Sequence, residues 1–263
     1  DLFFLDENGR TTVVAGVPPD YFSSTGQRWG NPLYRWDVME KNGYSWWVAR
    51  FKFLLKMVDI IRIDHFRGFE AYWEIPASED TAVNGNWVKG PGTKFFSCLQ
   101  GEIGETPIIA EDLGLITPGV KALRTSFNFP GMKVLQFAFY DGANEYLPHN
   151  YEKNCVVYTG THDNNTTPGW FNFKKSDSTQ NAESEINARK FCLEYLNTDG
   201  KEIHWDLIRL AYSSVADTVI IPLQDILGLG DEARMNIPGK PHGNWRWRYK
   251  KIMITKAIAE RLK

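Results

Sequence analysis

Short unbroken apolar runs alternate along the chain with longer stretches whose apolar positions recur at a helical period. Runs at residues 58–63, 107–110, 132–137, 155–161 and 218–222 are apolar or β-branched throughout, which predicts strands covered on both faces. Helical spacing at 45–56, 118–127, 182–197 and 205–215 predicts helices between them. Thr117 reads as an N-cap, with Pro118 at the first helical position. Strand followed by helix, repeated, implies an α/β fold with parallel strands and right-handed crossovers. No repeat, low-complexity tract or Pro-rich linker interrupts this pattern, so residues 1–263 are expected to form a single domain.

Polar residues cluster where the apolar runs stop. Ile63 runs into Asp64-His65, Ala110 into Glu111-Asp112, Thr161 into His162-Asp163-Asn164, and Pro222 toward Gln224-Asp225. A (β/α)8 TIM-type barrel gathers such strand ends on one face, whereas a dinucleotide-binding sheet needs a glycine-rich phosphate turn that this sequence lacks. The barrel is therefore the expected fold. The strand runs are too few to close it, and the first 45 residues read as loop, so the first strands are expected to be missing from this chain.

Composition narrows the function. With 30 basic and 32 acidic side chains mixed along the sequence and a net charge of -2, there is no basic block to hold nucleic acid. No apolar run approaches the roughly 20 residues of a membrane helix, so no membrane partner is expected. Residues 1–10 lack the pattern of a signal peptide, and three cysteines without C-x-x-C spacing argue against a disulfide framework or a structural zinc. A reducing cytoplasm is the expected location. Aromatic residues make up 14% of the chain. Such rings fill cores, but they also stack on sugar faces. Trp29, Tyr34, Trp36, Trp87, Trp170, Trp245 and Trp247 stand among Gly, Pro and Asn in loop-like stretches, which favours the second use.

Asp64, Glu111 and Asp163 are acids at the ends of three separate strands, a pattern suited to splitting a glycosidic bond with a nucleophile, a proton donor and an auxiliary acid. Singly, each could equally cap a helix or pair with a base. Arg62, two residues before Asp64 on a strand, points the same way and would keep that carboxylate ionised, which favours Asp64 as the nucleophile. Glu111 follows an apolar run that should raise its pKa, as a general acid requires. His162 is placed to donate to a sugar hydroxyl or to rest as a buried, hydrogen-bonded histidine. The five histidines are scattered and no Asp-rich loop has calcium spacing, so neither metal nor cofactor is expected.

Longer motifs add to this reading. AGVPPDYFS at 15–23, TGQRWGNP at 25–32, RIDHFRGF at 62–69, AEDLG at 110–114, TGTHDN at 159–164 and ARMNIPG at 233–239 closely resemble the amylomaltase, or disproportionating, 4-α-glucanotransferases of glycoside hydrolase family 77. The resemblance implies a (β/α)8 barrel that transfers α-1,4-glucan segments between malto-oligosaccharides or starch- and glycogen-derived glucans, through a covalent glycosyl-enzyme and with retention. It implies Asp64 as nucleophile, Glu111 as acid/base and Asp163 as the acid that binds the distorted sugar. Arg62, His65, His162 and Asn236 are implied as substrate binders. Asp20, Tyr21, Phe22, Gln27 and Trp29 are implied in a substrate-covering loop spanning 15–36, whose Gly16, Gly26 and Gly30 would supply hinges and whose Trp29 would be an acceptor platform. Where the family commonly has a second aspartate after His-Asp-Asn, this chain has Asn165. Family members also carry a segment with the first barrel strands that this chain is expected to lack. A retaining α-glucan hydrolase, or an inactive piece that binds glucan weakly, would share the same acids.

Overall fold

A computed structural model describes residues 2–19, 23–114, 116–140, 145–172 and 182–263. The chain forms two compact units, Asp1–Gly131 and Met132–Lys263.

The first unit runs β1 (Val13–Val17), β2 (Gln27–Pro32), α1 (Trp36–Lys41), α2 (Ser45–Leu54), β3 (Ile61–Ile63), β4 (Ala71–Pro76), β5 (Asn86–Lys89), α3 (Gly92–Ile103), β6 (Ile108–Ala110) and α4 (Pro118–Ser126). β3 and β6 are parallel neighbours, with Ile61 opposite Ile108, Arg62 opposite Ile109 and Ile63 opposite Ala110. β2, β1, β4 and β5 form a separate antiparallel sheet in that order. β1 and β2 approach so closely at Gly16 that a Cβ there would lie 2.2 Å from the Gln27 carbonyl oxygen. Only glycine fits. The core is a cluster of rings: Phe51 of α2, Phe95 and Phe96 of α3 at one helix face with Leu99, and Phe66, Phe69 and Phe129 from connecting segments. Each buried phenylalanine contributes roughly 1.5–3 kcal/mol from area removed from water.

The second unit contains β7 (Gly131–Val134), β8 (Cys155–Tyr158), α5 (Thr167–Phe171), α6 (Ala182–Leu196), α7 (Ile203–Tyr212), β9 (Thr218–Ile220), α8 (Leu223–Ile226) and α9 (Lys256–Arg261). Its strands lie in the order β7-β8-β9, with β8 and β9 parallel. Leu135, Phe139 and Leu147 pack with Trp170 of α5, with Ala188 and Cys192 one helical turn apart on α6, and with Ile203 and Leu207 of α7.

The predicted helices and parallel strands are present, and Thr117 caps α4 by accepting the Val120 N–H. Several expectations are corrected. β3 has three residues, and Val58 and Ile60 before it are exposed. Residues 135–137 turn into a short 3-10 segment. β9 is exposed at both ends, as an edge strand is, rather than covered on both faces. The first 45 residues, read as loop, hold β1, β2 and α1, because Gly and Pro interrupt their periodicity without ending their hydrogen bonding. Trp170 is core, and Trp36 and Trp47 pack against the first unit's core. None of the sheets closes on itself among the described residues, so the architecture shown is α/β with parallel strand pairs. Among those residues no helix is long and apolar enough to cross a membrane, and Cys98, Cys155 and Cys192 form no disulfide.

Candidate active site

The in-register pairing of β3 with β6 sets Asp64 and Glu111 side by side at the ends of adjacent strands. Their surroundings differ. Asp64 is exposed, its side chain 80% accessible, and its Oδ1 receives the Arg62 guanidinium at 3.1 Å. Glu111 is largely enclosed, and its two carboxylate oxygens accept separate backbone donors, Oε2 from His65 N–H at 2.6 Å and Oε1 from Leu113 N–H at 3.1 Å. Its own backbone bonds lock the same place, because its N–H donates to the Ile63 carbonyl and its carbonyl accepts from Phe66 N–H. Burial pushes the Glu111 pKa up, with the nearby Asp64 charge adding to the shift, while the two backbone donors and Arg62 pull against it. The arrangement gives an ionisable, reachable carboxylate beside a buried one biased toward its protonated form.

The adjoining Asp112 has a different job. It pairs with buried Arg124 at 3.2 Å, and a Cβ at Gly131 would lie 2.5 Å from its Oδ2. Arg124 also donates to the Phe129 carbonyl, so this acid anchors α4 to the segment entering β7.

His65 adopts a left-handed backbone, φ 48°, which turns the chain back beneath Glu111. Burial and the Arg67 charge hold its pKa down to about 4, against the attraction of Asp64. It is a neutral imidazole near pH 7. Trp29, 45% exposed, meets it edge to face at 4.8 Å, its Nε1 donating to Gln27 Oε1 at 3.2 Å. Gln27 and Trp29 thus share one face of β2. Within 15–36, residues 15–17 and 27–32 belong to the β1–β2 pair, so strand geometry places these two side chains. Asp20, Tyr21 and Phe22 lie outside the described residues. Trp87, also expected in a loop, sits on β5 with the buried Arg67 guanidinium 4.0 Å above its ring.

In the second unit β8 ends at Tyr158, so His162 and Asp163 stand in the turn beyond it. Asn164 Oδ1 accepts both the N–H and the hydroxyl of Thr161, and Asp163 N–H donates to that hydroxyl. His162 Nε2 is 3.4 Å from Asp163 Oδ2. Asn236 Nδ2 donates to Asp163 Oδ1 at 2.6 Å, and its own backbone N–H donates to the His162 carbonyl. Arg234 clamps both strings, donating to the Asp163 carbonyl at 2.8 Å and the Asn236 carbonyl at 2.9 Å. Asn165 uses both ends of its amide: Oδ1 accepts Thr166 N–H, and Nδ2 donates to Asp231. An aspartate there would face another carboxylate. Behind the turn, Asp225 is fully buried and accepts from the Thr159 hydroxyl and from the N–H and hydroxyl of Thr167, while burial pushes its pKa up.

Sequence reasoning missed Arg234 and Asp225 as supports of this turn. Arg234 lies inside the ARMNIPG motif, and Asp225 was visible as an acid beyond a strand. Neither position by itself reveals a partner far away in sequence. Among the described residues no group of three or more His, Cys, Asp or Glu is placed to hold a metal ion.

Fold and side chains together define an α/β protein with acidic side chains beyond its parallel strands and exposed rings beside them. The 4-alpha-glucanotransferase family profile matches residues 1–255, and the chain belongs to that family. It is 56% identical over 257 residues to a 4-alpha-glucanotransferase of Thermus thermophilus, covering 94% of this chain and 49% of that protein. A 4-alpha-glucanotransferase of Synechocystis is 56% identical over 252 residues, with 94% of this chain and 48% of that one covered. Among solved structures, an amylomaltase from Streptococcus agalactiae in complex with acarbose matches at a TM-score of 0.92 and 38% identity, over 99% of this chain and 51% of the other. The chain spans about half the length of the curated relatives it matches.

Proposed function

We propose that this chain carries the acids of a 4-α-glucanotransferase that moves α-1,4-glucan segments between chains by a retaining double displacement. The observation that carries the reading is the Asp64–Glu111 pair, two carboxylates on neighbouring strands in register, one exposed beside a guanidinium and one enclosed with a raised pKa. Asp64 Oδ attacks the anomeric carbon as Glu111 gives its proton to the glycosidic oxygen, and the leaving chain departs with a free 4-hydroxyl. An acceptor's 4-hydroxyl then attacks the same carbon, Glu111 takes its proton, and the Asp64 carboxylate is released. Asp163, held by Asn236, binds the distorted sugar, with Arg62, His65 and His162 as further contacts. Trp29 and Gln27 offer an acceptor sugar a ring face and an amide, and residues 15–36, Asp20, Tyr21 and Phe22 among them, cover the donor and exclude water.

The finer architecture belongs to the same proposal: one (β/α)8 barrel domain, whose strand ends these acids occupy. Malto-oligosaccharides and starch- or glycogen-derived glucans are the substrates, in a reducing compartment such as the cytoplasm, where three cysteines outside any disulfide stay reduced. Incubation of the chain with maltotriose tests the reading. A ladder of longer chains together with glucose is the expected product. Shorter products alone would make it a hydrolase, and no turnover would refute activity in this chain.

A further inference from the structure

Trp245 breaks two habits of tryptophan at once. Its backbone is left-handed, φ 62°, a conformation that bulky residues adopt only under constraint, and the residue is 51% exposed. The constraint is visible. Trp245 N–H donates to the Met235 carbonyl at 2.7 Å, and Arg248 donates to the Trp245 carbonyl at 2.9 Å. Next to it, Asn244 Oδ1 accepts Ile237 N–H while its Nδ2 donates to the Lys240 carbonyl. This latched loop delivers the indole to one place, 5.2 Å from the His162 ring. His162 and Asn236 both touch Asp163, so the open ring stands directly beside the polar groups of the second unit's acid.

Strain of this kind persists where the position of a side chain matters more than the comfort of its backbone. A packing role would bury the residue, and half of it is open. An open aromatic face beside a cluster of hydrogen-bonding side chains is the surface that a pyranose recognises, stacking its C–H face while its hydroxyls reach the polar rim.

We propose that Trp245 is a substrate-stacking residue, its indole taking the apolar face of a glucosyl unit adjacent to the one bound by Asp163 and His162. The inference rests on the glucan reading above and adds a residue that none of the quoted motifs contains. The test is calorimetric titration of the 263-residue chain with maltoheptaose, in an Asp64→Asn background that prevents turnover, together with thermal melting. Trp245→Gly should weaken binding about tenfold or more, and Trp245→Phe by a smaller factor, since a phenyl ring keeps part of the stacking face. Glycine accepts φ 62° without strain, so Trp245→Gly should melt no lower than its parent. Unchanged affinity in Trp245→Gly overturns the inference alone, as does a marked fall in melting temperature, which would make the ring structural. A parent that fails to bind maltoheptaose overturns the glucan reading, and the inference with it.

Discussion

The first unit holds its acids by strand register, whereas the second holds its acid by side chains borrowed from a distant loop. Asp64 and Glu111 are adjacent because Ile63 pairs with Ala110, and Glu111 is then fixed by backbone N–H groups that no substitution short of proline removes. Asp163 has no such frame. Its turn lies beyond β8 and depends on Asn164 from within and on Arg234 and Asn236 from outside. Backbone-held geometry tolerates change at the neighbours; side-chain-held geometry does not. The same contrast separates the electrostatics, because Glu111 is enclosed and Asp163 is about half exposed.

The contrast between the two units is tested most strongly at Glu111. Glu111→Gln should lower turnover by about 10²- to 10⁴-fold, the range that general acid–base catalysis contributes. Because burial raises the folded pKa of Glu111 above the ordinary carboxylate range, activity that needs its proton falls as pH rises through the raised pKa, and the variant should lose this alkaline limb from the kcat/KM profile. The same shift makes its contribution to stability present at low pH and lost as pH rises. Rate–pH profiles of both proteins check this.

Asn236→Ala probes the other side. It frees Asp163 Oδ1, and a misplacement of about 1 Å in a catalytic group is enough for a roughly 100-fold fall in kcat. Melting should change little, since the residue lies in a loop. Steady-state kinetics with maltotriose beside a melting curve provide the measurement, and a loss in stability as large as the loss in rate would assign Asn236 to folding.

A third effect is thermodynamic. With its folded pKa lowered to about 4, His65 stays neutral while an unfolded histidine takes up a proton below about pH 6.5. Its contribution to stability is present above pH 6.5 and is lost as pH falls toward 4. His65→Gln should remove roughly 2–3 kcal/mol of the stability change between pH 7 and pH 4. Urea midpoints at the two pH values would show it.

The smallest effect concerns the departure at Asn165. Asn165→Asp places a carboxylate against Asp231 and should lower stability at pH 7 by about 1 kcal/mol, with the loss relieved in the Asn165→Asp/Asp231→Asn pair. Denaturation of all four proteins closes the cycle.

The apolar runs made the parallel strands legible because a strand covered on both faces needs no alternation, and the acids were legible because each follows such a run. The antiparallel sheet was not: β1 and β2 carry Gly16, Gly30 and Pro32, and β5 has four residues, too few for a period. Ring-rich segments were misleading in both directions. Trp170 stands beside Gly169 and Pro168 yet is core, because Thr166 caps a short helix there. Trp29 reads as loop but is strand. Most hidden were the pairings of Arg234 with Asp163 and of Asp225 with Thr159 and Thr167, which join residues some sixty to seventy positions apart and exist only once the chain has folded.

In the proposed double displacement Asp64 forms the bond to the sugar. Its side chain is 80% exposed, so Asp64→Asn should leave folding within about 0.5 kcal/mol and serve as a clean control. Treating the chain with an activated fluorinated maltosyl donor and mapping the modified peptide by mass spectrometry tests it most directly. One maltosyl group is expected on the peptide containing Asp64 and none in the Asp64→Asn control; a label on Glu111 or Asp163 instead would rule out Asp64 as the nucleophile.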